Sequence, residues 1–119
     1  MKSEEIDSAI AAHGQWKQRL KTAIETGQSE FDPSKLALDN YCDFGKWLNS
    51  LGSNIKATDS WKNIHQLHAE FHKKAASILD LAVKGKSGDA SKQIELGSDY
   101  SVVSSKLTNA MIKWKKEII

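Results

Sequence analysis

DSWKNIHQLHAEFHKKAASILDLAVK, residues 59–84, is the stretch that decides the fold. Trp61, Ile64, His68, Phe71, Ala75, Ile78, Leu79 and Ala82 recur every three or four positions, which lays them along one face of a long helix. Thr58 is placed to cap its start. His72 lies on the same stripe one turn beyond His68, so two imidazoles occupy a face that must be buried.

Three more segments carry the helical period. From Glu4 to Thr26, Ile6, Ile10, His13, Trp16, Leu20 and Ile24 share a face, with Ser3 as the expected cap and Gly27 as the terminator. Asp32 and Pro33 suit the cap and first turn of a short helical piece. A shorter helix is expected from Asn40 to Leu51, capped by Asp39, with Tyr41, Phe44, Trp47, Leu48 and Leu51 apolar and Gly52 at its end. After the turn at Gly85 to Asp89, a last helix is expected from Ala90 to about Lys116, capped by Asp89 and carrying Ile94, Tyr100, Val103, Leu107, Met111 and Trp114. Gly97 is its weak point. One Pro in 119 residues and few β-branched runs agree with an all-α chain. Short connections predict an antiparallel four-helix bundle whose short second helix carries Cys42.

Length and composition fit one domain spanning residues 1–119. With 39% hydrophobic and 27% charged residues, the chain is too polar for a membrane span. A net charge of +2 with interspersed signs argues against nucleic acid as the main partner. No basic segment followed by an apolar run opens the chain, so the expected compartment is the cytoplasm. A single Cys makes no internal disulfide.

His13 occupies the core phase of the first helix, and Cys42 lies near the start of the second with Gly45 three residues on. One ligand from the first helix, one from the second and two from the third would supply the tetrahedral N/S shell that Zn2+ prefers. Such a staple contributes on the order of 10 kcal/mol of apparent binding free energy. The competing reading is that these are hydrogen-bonded core histidines and a small buried Cys. The pattern alone leaves both open. His65 is read as a flanking residue that would replace Cys42 if the thiol pointed away. Inward carboxylates of a di-iron bundle, an HExxH motif, a phosphate loop and a nucleophile elbow are all absent, so no enzymatic site is expected.

HGQW at His13 to Trp16, CDFGKWL at Cys42 to Leu48 and HAEFH at His68 to His72 together resemble the chemoreceptor zinc-binding (CZB) domain. The blocks are separated by 28 residues between His13 and Cys42 and by 25 between Cys42 and His68. The resemblance implies a bacterial, cytoplasmic, four-helix regulatory domain that binds zinc through three His and one Cys. It further implies a homodimer linked to chemoreceptors or diguanylate cyclases, responding to zinc or to oxidants such as hypochlorous acid. This sequence carries neither a cyclase domain nor a coiled-coil signalling hairpin, so a free-standing member or a fragment of a larger receptor is expected. A zinc-dependent sensor with Cys42 as its reactive ligand is the leading expectation. A structural, zinc-stapled dimerisation module, suggested by four Trp, is the alternative, with Trp16 and Trp61 expected in the core more than Trp114.

Overall fold

The computed structural model describes residues 4–29, 31–38, 42–95 and 97–118, and within them the chain is helical without a strand. The elements are α1 (Glu4–Thr26), α2 (Pro33–Leu36), α3 (Asp43–Ser50), α4 (Ser53–Lys56), α5 (Asp59–Val83), α6 (Ser87–Gln93) and α7 (Asp99–Ile118). The all-α expectation holds. In place of four helices there are three long ones, α1, α5 and α7, and four short ones.

The long helix read from residues 59–84 is α5, and it packs against α7, α1, α2 and α6. Thr58 caps it as expected, its hydroxyl accepting from the Trp61 N–H at 3.3 Å. Gly85, at φ +82°, turns the chain out of the helix, and the Lys86 N–H donates to the Leu81 carbonyl at 2.9 Å. The buried stripe contains Ile64, His68, Phe71, His72, Ala75, Ile78, Leu79 and Ala82. Trp61 sits at its edge, half-buried, with its indole N–H donating to the Leu48 carbonyl at 3.1 Å.

The buried face of α1 is rotated slightly from the expected one. Ile6, Ala9, His13, Trp16, Leu20 and Ala23 are buried, whereas Ile10 and Ile24 lie at the margin. The inward row has spacings of three and four in strict alternation, the narrow seam that a straight helix presents to a close neighbour. Alanines at 9 and 23 belong to that seam, and both are buried. Ser3, expected as the cap of this helix, falls outside the described residues.

Two expected helices change form. Cys42 is not inside the second helix; it is the N-cap residue of α3, in extended conformation at φ −88° and ψ 160°, and its sulfur accepts from the Gly45 N–H at 3.4 Å. The expected cap Asp39 and the expected helical residues Asn40 and Tyr41 are outside the described residues. The last expected helix is two. α6 begins at Ser87, so Asp89 lies in its first turn instead of capping it. Gly97 then adopts φ +91° and Ser98 starts the chain again, its hydroxyl accepting from the Ser101 N–H at 3.3 Å. A glycine that costs helix stability and a Ser that caps a new helix together outweigh continuity of the apolar period. The break lets Ile94 and Tyr100 both reach the core.

The tryptophans divide differently from expectation. Trp16 and Trp114 are buried, while Trp47 and Trp61 are half-buried. Trp114, expected to be the more exposed, packs against Trp47 with ring centroids 5.8 Å apart. Its position near the chain end is offset because α7 runs back along α1, where Lys115 pairs with Asp7 at 2.7 Å.

Two substitutions check this account. Gly97→Ala forces a Cβ into left-handed backbone and should destabilise the protein by about 1–2 kcal/mol, read as a lower midpoint in urea. Tyr100 is buried with its hydroxyl lacking a hydrogen-bond partner among the described residues. Tyr100→Phe should therefore be neutral or stabilising by up to about 1 kcal/mol, measured in the same titration.

Candidate metal centre

Three elements bring four side chains together. His13 comes from α1, Cys42 from the cap of α3, and His68 and His72 from successive turns of α5. Their candidate ligand atoms all lie within 4.8 Å of one another. Cys42 Sγ is 3.2 Å from His68 Nε2 and 3.4 Å from His72 Nε2, and the two Nε2 atoms are 3.0 Å apart. His13, His68 and His72 are buried and Cys42 is half-buried.

Backbone carbonyls orient two of the rings. His13 Nδ1 donates to the Ala9 carbonyl at 2.7 Å, and His72 Nδ1 donates to the Leu36 carbonyl at 2.8 Å. A carbonyl only accepts, so in the neutral ring the proton sits on Nδ1 and the Nε2 lone pair faces the cluster. The Leu36 carbonyl is delivered by α2, which Asp32 caps through the Ser34 N–H at 2.9 Å and Pro33 begins. Hydrogen bonding to Ser34 holds the Asp32 carboxyl below its usual range. Edge-on ring contacts complete the cage. The His13 ring meets His68 and Phe71 at 5.0 Å, and Phe44 meets His68 at 5.1 Å.

Burial keeps the His13 and His68 imidazoles neutral. Desolvation pulls the His13 pKa down to about 4, partly opposed by the bond to Ala9. His68 falls further, to about 2, through burial first and then the neighbouring His72, His13 and His65. Burial raises the Cys42 thiol above its ordinary value, against the Gly45 and Phe44 N–H groups that favour the thiolate. His68 Nδ1 is buried without a hydrogen-bond partner in the described structure.

Converging lone pairs of this kind fit a cation. Tetrahedral zinc with bonds of about 2.0–2.3 Å sets its ligand atoms about 3.3–3.6 Å apart. The 3.0–3.4 Å spacings among Cys42, His68 and His72 are near that range, and His13 joins them within 4.8 Å. When bound, the ion supplies the positive charge that keeps Cys42 as thiolate and offsets the crowding of nitrogen lone pairs. Three neutral imidazoles, one thiolate and Zn2+ carry a net charge of +1. Loading therefore expels the Cys42 proton.

All four residues singled out from sequence are thus gathered into one group. His65 is not among them: half-buried, it stacks on the Trp61 ring at 4.7 Å and 17°. Because Cys42 turns inward, no substitute is called for. The Ala9 and Leu36 carbonyls were not foreseen. Ala9 had a signal in the four-residue helical spacing to His13, whereas nothing local in the sequence joins Leu36 to His72.

A helical metal-binding domain is the class of protein that this fold and donor set describe. The sequence model of one such family, the chemoreceptor zinc-binding domain, matches residues 13–79, more than half of the chain. The protein belongs to that family. The matched span starts at His13 and contains Cys42, His68 and His72. Comparison with curated proteins gave no match, and neither did comparison with solved structures.

The depressed histidine values give the metal-free protein a defined acid response. Above the unfolded value of 6.5 the contribution to stability is complete. As pH falls below it, unfolded chains bind protons that the folded core refuses. Each histidine then costs about 1.4 kcal/mol of stability per pH unit, ending near pH 4 for His13 and continuing toward pH 2 for His68. Urea unfolding after chelation should show this decline between pH 7 and pH 5; a flat profile would contradict neutral burial.

Proposed function

We propose that the protein is a zinc-binding regulatory domain of bacterial signalling, with His13, Cys42, His68 and His72 as the ligands of one zinc ion. The observation that carries this reading is the approach of Cys42 Sγ and two Nε2 atoms to 3.0–3.4 Å, with His13 turned toward them by its bond to Ala9. Membership of the chemoreceptor zinc-binding family supports the metal and the signalling role. On this reading the 119 residues form one non-enzymatic, cytoplasmic domain completed as a four-helix bundle by α6 and α7. It works as a homodimer within or beside a chemoreceptor or a diguanylate cyclase. Among the described residues no helix is long and apolar enough to cross a membrane.

Cys42 is the responsive ligand. Unlike the three histidines it is half-buried, and it stands at the cap of an eight-residue helix. A two-electron oxidant that transfers oxygen to the thiolate leaves a sulfenate, a poorer ligand whose loss releases the start of α3. Withdrawal of zinc frees the same element. A purely structural staple that mediates dimerisation is the second reading, but its tryptophan clue is weakened because Trp16 and Trp114 are buried within the chain.

Protein purified without added metal should contain about one equivalent of zinc, the number that one four-ligand site holds. Cys42→Ser and His72→Ala should each lower affinity by at least about a hundredfold, more than loss of an outer hydrogen bond does. Elemental analysis and competition with a chromophoric chelator measure both. Less than half an equivalent in the unaltered protein contradicts the zinc assignment. Retention of zinc under stoichiometric oxidant favours the structural reading over the sensor.

A further inference from the structure

A half-open cavity of about 530 Å³ lies against the candidate metal centre, and Cys42, His13 and His72 are in its wall. His68 is not. Glu4, Glu5 and Asp43 also line it, and Glu4 and Asp43 are exposed. Glu5 Oε2 is buried and has no hydrogen-bond partner among the described residues. Among the described lining residues Arg19 is the one lysine or arginine. Its guanidinium lies over the Trp16 and Phe31 rings, 5.1 and 5.3 Å from their centroids. Along α1 the helical rise puts Arg19 about 21 Å from Glu5, with His13 between them. Along α1 the cavity thus runs from the carboxylates of Glu4 and Glu5, past His13, to Arg19, and three of the four candidate ligands are in its wall.

We infer that this cavity is the path by which the metal ion reaches and leaves the centre: Glu4, Glu5 and Asp43 draw in the hydrated cation, and Cys42, His13 and His72 displace its water before His68 closes the shell. The inference rests on the zinc reading above and adds its route and order. Charge favours the acidic end, since carboxylates at the mouth of a cleft raise the local cation concentration and speed association. Partial exposure favours Cys42 as an early contact, because the three histidines are buried. Exchange of zinc with the surroundings is then limited by passage through this opening, without unfolding of the helices.

The test is the rate of exchange, read with Zn2+ and a chromophoric chelator by stopped flow, alongside the equilibrium affinity. Ala12 is exposed and lines the cavity, so Ala12→Trp narrows it without altering a ligand. Association and dissociation should both slow about tenfold while Kd stays within about twofold, the pattern of a blocked path and not of a weakened site. Ser105→Trp, at an exposed position of α7 outside the cavity, should leave both rates unchanged. Equal rates for Ala12→Trp and the unaltered protein, with one equivalent of zinc bound by each, overturn the route and leave the zinc assignment standing. Failure of the unaltered protein to bind zinc overturns both. Should Ala12→Trp lose its helical signal, Glu4→Gln with Glu5→Gln replaces it. Association should then fall several-fold at low salt, with the difference vanishing at high salt as screening shortens the reach of charge; no change at low salt overturns the proposal.

Discussion

Everything in this fold is arranged around a cost: three imidazoles are held out of water with their nitrogen lone pairs turned toward one another and toward a sulfur. His68 and His72 Nε2 stand 3.0 Å apart, a spacing that needs either a shared proton or a cation. Buried polar groups without partners are expensive, and here the carbonyls of Ala9 and Leu36 occupy the outer nitrogens of His13 and His72. On the inner side the His72 Nε2 meets His68 Nε2 and the Cys42 sulfur, the group that could hold a metal ion together with His13. Depression of the His13 and His68 values by burial keeps both rings neutral at neutral pH, so that each retains one nitrogen lone pair.

The surrounding structure follows from that demand. α5 contributes two donors because a long helix stacks side chains four residues apart, and it can do so rigidly because Phe71, Ile78 and Leu79 anchor it in the core. α1 contributes one donor through a seam narrowed by Ala9 and Ala23. α2, only four residues long, exists in a place where its Leu36 carbonyl meets His72. Cys42 is held differently. As an N-cap residue it accepts from the Gly45 N–H at 3.4 Å and meets the Nε2 atoms of His68 and His72 at 3.2 and 3.4 Å, and it is the one half-buried member of the group.

Much of this was legible in the residues themselves. The periods of α1 and α5, the Thr58 cap, the Asp32–Pro33 start of α2 and the terminating Gly27 and Gly85 are local signals, and each depends on backbone geometry over a few residues. Less legible was the split of the last helix, where the apolar period ran on through Gly97 while the backbone did not. Cys42 was misplaced by the same limit: apolar spacing cannot tell the first residue of a helix from its cap when the cap is a Cys, because the hydrogen bond to Gly45 is what distinguishes them.

By itself the sequence determined an all-helical chain, the donor types and their order, and membership of a zinc-binding family, because helical phase and motif spacing are properties of neighbouring residues. Only the tertiary structure decided that the four donors meet, that His65 stays outside on Trp61, and that carbonyls from α1 and α2 select which imidazole nitrogen faces inward. Those outcomes depend on contacts between residues as far apart in the chain as His13 and His72, and close packing sets such contacts through shape and distance that no local pattern encodes.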